Sequence, residues 1–167
     1  MAELRIRHVR LDDVEAIVGI LNPIIEARQY TVLDTLLTAE AERQFIASFP
    51  RRGLFFVAER LQEGQVVGFQ TLEPFAAYTH ALDHVAVIGT YVGLPFRQQG
   101  IGLRLSQAMF EAARHKGYEK ICTFVRADNL AALAFYRRLG FRIIGTAQRQ
   151  ARIQQTYIDE IFIERFL

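Results

Sequence analysis

The hydrophobic positions between residues 85 and 116 follow first the spacing of a strand and then the spacing of a helix. The apolar run Val85 to Ile88 and the extended Thr90 to Val92 predict a buried strand. After a turn, Ile101, Leu105, Ala108 and Ala112 follow one another at spacings of 4, 3 and 4, and these predict one face of an amphipathic helix over Leu103 to Lys116. Gly117 is placed to end that helix.

The flanking segments repeat these two patterns. Strands are predicted at Leu4–His8, Leu54–Ala58, Val66–Leu72, Lys120–Val125, Phe141–Gln150 and Tyr157–Phe166. A first helix is predicted from Val14, capped by Asp12 or Asp13; it is broken or kinked at Pro23 and continued by Ile24 to Gln29. Two more helices are predicted, over Ala39–Phe49 after Thr38 and over Ala131–Leu139. Tyr30 to Thr35 is expected to be extended. The pattern predicts one mixed α/β (α+β) domain over residues 1–167, with about seven strands and about four helices.

Composition excludes several classes of function. A net charge of +2 over 167 residues is too small to predict nucleic-acid or anionic-membrane binding across the surface. The single cysteine, Cys122, excludes an intramolecular disulfide, and its apolar neighbours predict a packed core thiol. The four histidines lack the spacing of a zinc site, so no metal is expected. Because no signal core or membrane-length apolar run occurs, we expect a cytoplasmic protein.

The turn between the central strand and helix is a candidate anion site. Its sequence is Arg97-Gln98-Gln99-Gly100-Ile101-Gly102. Main-chain N–H groups at a helix N-terminus have no partner within the helix, and glycines allow a phosphate to approach them closely. The same glycines would also be needed for a tight turn that binds nothing. The pattern is neither a Walker loop nor a dinucleotide fingerprint.

A second informative stretch runs from Asp128 to Phe141. Asp128 or Asn129 would cap a helix and Gly140 would end it. Residues seven apart in a helix are turned only about 20° from one another, so Asn129 and Tyr136 lie near the same face. Helix capping by Asn129 and core packing by Tyr136 are the purely structural alternatives.

The two stretches together resemble the GCN5-related N-acetyltransferases. The resemblance covers Val85 to Phe141 and consists of an apolar strand, R-x-x-G-x-G, a helix, a strand and N-x-x-A-x-x-F-Y-x-x-x-G-F. The segment Tyr30 to Thr35 and the strand from Gly68 to Pro74 are similar to the phosphinothricin-acetyltransferase-like branch. The resemblance implies the fold of that family, whose two central parallel strands splay apart.

The resemblance also implies a binding site for acetyl-coenzyme A. Main-chain groups of Tyr91, Val92 and Leu94 would pair with the pantetheine arm, and the Val92 amide would polarise the thioester carbonyl. The turn would hold the pyrophosphate, with Gln98 standing where many relatives have glycine. Asn129 would hydrogen-bond the pantetheine arm. The implied pyrophosphate contacts come from Arg97, Gln98, Gln99, Gly100, Ile101 and Gly102.

The implied chemistry is direct attack of an amine on the thioester. Tyr136 matches the family's tyrosine, which donates a proton or hydrogen bond to the leaving sulfur. Phosphinothricin-type enzymes carry a glutamate base on the central strand, where this chain has Val87, and a valine cannot accept a proton. Glu73 is the first substitute and His84 the second; His80 and Asp83 are further candidates, and solvated loop positions are the alternative for all four.

The expected function is transfer of an acetyl group from acetyl-coenzyme A to a small-molecule primary amine. Arg28 or Arg152 could meet the carboxylate of an amino-acid-like substrate. The alternatives are a protein amine as acceptor, a longer acyl donor, or a sensor module that binds coenzyme A without turnover, which the missing strand glutamate motivates. Homodimers are common in the branch, and the apolar tail strands with Tyr157 are the candidate contact.

Overall fold

The computed structural model describes residues 3–167 and contains seven strands and four helices. In chain order these are β1 Leu4–His8, α1 Val14–Glu26, α2 Ala39–Ala47, β2 Leu54–Arg60, β3 Gln65–Pro74, β4 Val85–Val92, α3 Ile101–His115, β5 Lys120–Arg126, α4 Leu130–Arg138, β6 Arg142–Ile153 and β7 Thr156–Phe166. The predicted fold class and element order are therefore confirmed. Tyr30 to Thr35 forms a loop that joins no sheet.

All seven strands form one sheet in the order β1-β2-β3-β4-β5-β7-β6. Every neighbouring pair is antiparallel except β4 and β5, which are parallel and pair only from Val85 to Val87 with Lys120 to Cys122. Beyond those three pairs, the second half of β4 has no partner in β5. The splayed central strands implied by the resemblance are present.

Helices cover both faces of the sheet. Helices α3 and α4 pack with β4 and β5 in the larger apolar core, which includes Ile88, Leu105, Ile121 and Tyr136. Helices α1 and α2 cover the other face of β2 and β3. The consequence is a layered arrangement in which the gap between β4 and β5 lies at the centre of the sheet.

Two local predictions differ from the structure in detail. Helix α1 continues past Pro23 as expected, with Ile24 and Ile25 buried in the core beyond the proline, but it ends at Glu26 rather than Gln29. The buried stripe of α3 is centred on Leu105, Met109 and Ala113, which are fully buried, whereas Ala108 and Ala112 lie at its margin. The side chains of methionine and phenylalanine in this helix have more apolar surface to bury than its alanines.

Candidate active site

The unpaired half of β4 presents alternate main-chain groups to the gap. The Val85 carbonyl accepts from the Phe75 N–H, and the Gly93 N–H donates to the Val67 carbonyl, both in the direction of β3. Because strand residues alternate, Ile88, Thr90 and Val92 face the side from which β5 has diverged. The register between these two hydrogen bonds is unbroken. The Ile88 N–H lies within the last parallel pair, Val87 with Cys122, and the Val92 carbonyl accepts from Arg97 Nε. The groups left for a ligand are therefore the Ile88 C=O, the N–H and C=O of Thr90, and the Val92 N–H.

The same alternation corrects one expected contact. Tyr91 is paired with Phe69, and its main chain points to β3 rather than into the gap. Its side chain stacks on the Phe69 ring, with centroids 4.9 Å apart, on the α1 side of the sheet. Leu94 is half-buried in the same cluster and begins a short 3-10 turn. Tyr91 therefore faces the site through its side chain and not through its backbone.

The turn after β4 has the geometry of an anion cradle. Gln98 and Gly100 have φ values of 61° and 77°, and α3 begins at Ile101. The left-handed backbone at Gln98 is a conformation that glycine adopts more readily than glutamine. Nothing lies within 4 Å of where a Cβ on Gly100 would be, so a ligand can reach the main chain there. The free N–H groups of the 15-residue helix α3 face this opening.

Other residues of the turn make structural contacts. Arg97 Nε lies 3.4 Å from the Val92 carbonyl, and its guanidinium lies 3.9 Å from the centre of the Tyr30 ring. The Gln99 side chain accepts from Arg60 at 2.7 Å. A Cβ on Gly102 would lie 3.0 Å from the Phe135 ring, so this glycine allows α3 to approach α4 closely. Its role in the structure is helix packing beside the cradle.

Tyr136 is buried, with its hydroxyl at the edge of the gap. Its Oη lies 3.0 Å from Thr90 Oγ1, and its ring packs edge-on against Phe135 and Phe141. Burial raises the pKa of the Tyr136 phenol, although its hydrogen bond with Thr90 acts in the opposite direction. The phenol is therefore protonated at neutral pH and remains a hydrogen-bond donor. Tyr136 therefore packs in the core, and its hydroxyl also lies beside Thr90 in the unpaired half of β4.

Glu73 lies directly opposite Val87 in the β3–β4 pairing. A carboxylate consequently stands on the strand beside Val87, on the same face as Tyr91. The side chain is half-buried, and burial raises the pKa of its carboxyl. Gly89 leaves space for Tyr91, since a Cβ there would lie 3.3 Å from the tyrosine ring and 3.8 Å from its hydroxyl. Glu73 and the Tyr91 hydroxyl therefore line one side of the sheet together.

His84 lies outside this arrangement. It is exposed and precedes β4, and its carbonyl accepts from the Glu119 and Lys120 N–H groups at the end where β4 and β5 are paired. At a rise of about 3.3 Å per residue, it is roughly 20 Å along the strand from Thr90. This position does not favour His84 as the base, because the strand carries it to the end of the gap where β4 and β5 are paired.

The loop between α1 and α2 spans the ends of the two splayed strands. Asn129 Nδ2 donates to the Tyr30 carbonyl at 3.1 Å, while its Oδ1 accepts from the Ala132 N–H and caps α4. Arg126, only 7% exposed, donates to the carbonyls of Arg28 and Thr31 at 3.0 and 3.1 Å. Asn129 therefore has a structural role in addition to the expected contact with the pantetheine arm, and the second N–H of its amide has no partner within residues 3–167.

A cavity of about 450 Å³ lies between this loop, the end of β5 and the β6–β7 hairpin. Arg28 and Tyr157 line it, whereas Arg152 does not.

Three residues at the site, Arg126, Gln70 and Thr90, were not predicted from the sequence. A glutamine among the apolar residues of β3 was the signal available for Gln70.

Within residues 3–167, no group of three His, Cys, Asp or Glu side chains has the geometry to hold a metal ion. No helix in this part of the chain is both long and apolar enough to cross a membrane. Cys122 is buried, with its Sγ 3.5 Å from the Ala86 carbonyl, and burial raises the pKa of its thiol to about 11. It is a core thiol, as predicted.

Comparison with known proteins gives a consistent result. Residues 23–141 match the family model described as the acetyltransferase (GNAT) family, and this stretch contains both motifs. The chain is 24% identical over 162 residues to the L-methionine sulfoximine/L-methionine sulfone acetyltransferase of Pseudomonas aeruginosa, covering 95% of this chain and 92% of that protein. It is 26% identical over 129 residues to a candidate phosphinothricin acetyltransferase of Bacillus subtilis, covering 77% and 78%. The crystal structure of a ribosomal-protein-alanine N-acetyltransferase from Brucella melitensis superposes with a TM-score of 0.90 at 29% identity, covering 98% and 99%.

Proposed function

Because the chain belongs to the GNAT family of acetyltransferases, and is therefore an acyl-coenzyme A-dependent N-acetyltransferase, we propose that it acetylates the primary amine of a small, amino-acid-like molecule. The observation that carries this proposal is the parting of β4 from β5 after Val87, with the Tyr136 hydroxyl beside the main chain that the parting exposes. The relatives that act on methionine sulfoximine and, as a candidate, on phosphinothricin support the amino-acid-like acceptor.

The residues at the gap fit acetyl-coenzyme A. Ile88, Thr90 and Val92 offer main-chain groups that an amide-rich pantetheine arm can pair with as an added strand. The N–H groups from Gln98 to Gly102, at the N-terminus of α3, suit a pyrophosphate. The bound co-substrate supplies an activated acetyl group, and these residues hold it in register with the strand.

Thr90 is better placed than Val92 to polarise the thioester carbonyl. The sulfur and the carbonyl carbon of a thioester are directly bonded, so the acid at the sulfur and the N–H at the carbonyl oxygen must be neighbours. Tyr136 Oη lies 3.0 Å from Thr90 Oγ1, whereas Val92 is two residues farther along β4, or about 7 Å. We therefore assign carbonyl polarisation to the Thr90 amide and leave Val92 to contact the arm.

Glu73 is the proposed general base. Its raised pKa makes it a stronger base than a solvated glutamate. It lies opposite Val87 on the face of the sheet that carries the Tyr91 side chain, which we take as the side from which the acceptor enters. The carboxylate would take the amine's proton directly or through a water molecule. Tyr136 would protonate the sulfur from the other face of the sheet, so that the acid and the base do not neutralise one another.

A protein N-terminus is the second candidate acceptor. The Brucella melitensis structure, at 29% identity, is that of an enzyme acting on a ribosomal protein, and it supports this alternative.

We also expect a homodimer through β6 and β7, where Ile143, Tyr157 and Phe166 are 65%, 53% and 62% exposed. Light scattering of the purified protein would test the dimer. A cytoplasmic location remains a prediction.

The test is release of coenzyme A thiol from acetyl-coenzyme A in the presence of single amines. The panel contains methionine sulfoximine, phosphinothricin, the standard amino acids and a peptide beginning with alanine. Tyr136→Phe is expected to lower kcat at least tenfold while the Kd for acetyl-coenzyme A stays within twofold. Tyr118→Phe is the matched control, because Tyr118 is also buried and its hydroxyl donates to the Arg52 carbonyl at 3.0 Å, away from the gap.

Turnover of the amino acids but not of the peptide would support the proposal. Turnover of the peptide alone would move the assignment to the protein acceptor. Tight cofactor binding with no thiol release from any amine would contradict both and favour a sensor module. Equal losses of kcat in Tyr136→Phe and Tyr118→Phe would remove Tyr136 from the chemistry.

A further inference from the structure

A chain of buried polar side chains leads from the core to Tyr136. Gln70 and Thr90 face each other across β3 and β4, and Gln70 Nε2 lies 2.8 Å from Thr90 Oγ1. The same nitrogen lies 2.9 Å from Ser106 Oγ on α3. Thr90 Oγ1 in turn lies 3.0 Å from Tyr136 Oη. Gln70 and Ser106 are fully buried, so water does not interrupt this chain.

The orientation of the Gln70 amide is determined by its surroundings. Its nitrogen has two N–H groups, and each has a hydroxyl acceptor. Its oxygen, Oε1, is buried and has no hydrogen-bond partner among the described residues. Turning the amide over would leave two buried N–H donors unpaired in place of one oxygen, which is less favourable. Gln70 is therefore a donor to both hydroxyls.

An amide with an unpaired oxygen is not what packing alone favours at this position. Buried polar groups are normally fully hydrogen-bonded, and an apolar side chain of similar volume would have no unpaired polar atom of its own. The same face of β3 is otherwise apolar, with Leu72 fully buried in the same core. The amide is thus best explained by what its N–H groups do for Thr90.

Resting on the function proposed above, we propose that Gln70 and Thr90 are positioning residues that hold the Tyr136 hydroxyl and direct its proton to the leaving sulfur. In the structure the Tyr136 hydroxyl donates to Thr90 Oγ1, which also accepts from the Gln70 N–H. Thr90 keeps its own O–H, and both hydroxyls can rotate, so Thr90 donates to Tyr136 Oη when the Tyr136 proton turns to the gap. A Tyr136 oxygen that accepts from Thr90 has its own proton available for the gap.

The step in question is the departure of the thiolate from the acetyl group. The bond between the acetyl carbon and sulfur breaks, and its electron pair goes to sulfur. The proton of Tyr136 Oη moves to sulfur, and the phenolate oxygen accepts the Thr90 hydroxyl, whose oxygen accepts the Gln70 N–H. The proton lost by the attacking amine restores the Tyr136 hydroxyl through solvent. The hydrogen bond from Thr90 is the interaction that opposes the effect of burial on the pKa of Tyr136.

The experiment is a double-mutant cycle between Thr90 and Tyr136. Thr90→Val keeps the shape and removes the hydroxyl; it should lower kcat about tenfold with KM for acetyl-coenzyme A within twofold. Thr90→Ser, which keeps the hydroxyl, should restore kcat to within threefold of the unmodified protein. In the Tyr136→Phe background, Thr90→Val should change kcat less than twofold, because there is no phenol to position. Gln70→Leu should act in the same direction as Thr90→Val and be non-additive with it.

A structural role would give a different pattern. If Thr90→Val lowered kcat as much in the Tyr136→Phe background as in the unmodified protein, the effect would not pass through Tyr136 and the proposal would be wrong. Failure of Thr90→Ser to restore activity would overturn it as well. Thermal unfolding of each variant shows whether the protein remains folded at the assay temperature.

A second readout needs no turnover. Coenzyme A is bound to each protein, and the pKa of its thiol is measured from the ultraviolet absorbance of the thiolate as pH is raised. A hydrogen bond from Tyr136 favours the thiolate, so Thr90→Val should raise the bound thiol's pKa by roughly half a unit to one unit, and Thr90→Ser should not. Equal thiol pKa values in the unmodified protein, Thr90→Val and Tyr136→Phe would overturn the proposal. If the pKa of the bound thiol shifts as expected but no amine is acetylated, the positioning role of Thr90 is supported and only the proposed acetyl transfer is contradicted.

Discussion

Replacing Gly100 by alanine separates backbone strain from loss of a ligand site. Gly100 has a φ of 77° at the N-terminus of α3. Gly117 has a φ of 85° at the other end of the same helix. A Cβ at either position would meet nothing within 4 Å. The helix has 15 residues, which corresponds to a separation of about 22 Å between its ends.

The expected cost in stability is the same for both glycines. An L-residue in the left-handed region costs about 1–2 kcal/mol, and the lower chain entropy of unfolded alanine offsets roughly 0.4–1 kcal/mol of that. Each variant should therefore lose about 1 kcal/mol, equivalent to a fall in Tm of roughly 2–4 °C for a chain of this size.

The expected cost in cofactor affinity differs. A Cβ on Gly100 would project into the opening that the pyrophosphate is proposed to occupy and weaken at least one hydrogen bond to a charged group. Such a bond is worth about 1.5–3 kcal/mol, so the Kd for coenzyme A should rise about tenfold to a hundredfold in Gly100→Ala. Gly117→Ala should leave that Kd within twofold. Thermal unfolding and calorimetric titration with coenzyme A measure the two quantities.

Two results together would refute this expectation: a Kd for coenzyme A in Gly100→Ala equal to that of the unmodified protein, and a fall in Tm equal to that of Gly117→Ala. That result would mean that the turn is strained for its own geometry and that phosphate binds elsewhere. A rise in Kd in both variants would instead mean that affinity follows the stability of α3.

Four further predictions concern other parts of the site. The pKa of Glu73 is raised, and only its ionised carboxylate accepts a proton, so kcat/KM should increase with pH through a pKa above the ordinary glutamate value. Glu73→Gln should lower kcat at least tenfold and remove this increase at acidic pH. Gly102→Ala would place a Cβ 3.0 Å from the Phe135 ring and should cost about 1–3 kcal/mol in urea unfolding, part of which Phe135→Leu should restore. Native Cys122, with a pKa of about 11 and 1% exposure, should resist iodoacetamide at pH 7 and react fully in denaturant, so labelling of the native protein would contradict its burial. Arg126→Met removes the donor that holds the carbonyls of Arg28 and Thr31. It should raise the KM of the acceptor more than the KM of acetyl-coenzyme A, and it should speed proteolysis of the 28–31 loop. Unchanged cleavage would show that other contacts hold the loop.

Much of the fold follows from local pattern. Alternating and helical spacings predict all seven strands and four helices to within a few residues, because burial of one face needs a matching period in the sequence. The family is confirmed by the match over residues 23–141, which contains both motifs that predict it. The continuation of α1 past Pro23 was expected as far as Gln29, but its end at Glu26 does not follow from the local spacing.

Part of the candidate site also follows from local sequence, and part depends on the assembled sheet. By itself, the sequence determined the turn from Arg97 to Gly102 and the face that carries Asn129 and Tyr136, because a helix start and a spacing of seven are local geometry. It could not exclude His84, because the distance between His84 and Thr90 matters only once β4 is known to open at one end and not at the other.

Only the tertiary structure decided which residues from distant segments meet. It placed Glu73 opposite Val87 and joined Gln70 to Tyr136 through Thr90, across β3, β4 and α4. Such contacts depend on strand register and helix packing, which are set by the whole core rather than by the residues that touch. For that reason the cofactor motif can be read from one stretch of the chain, whereas the groups that surround the reacting atoms become apparent only when the sheet is assembled.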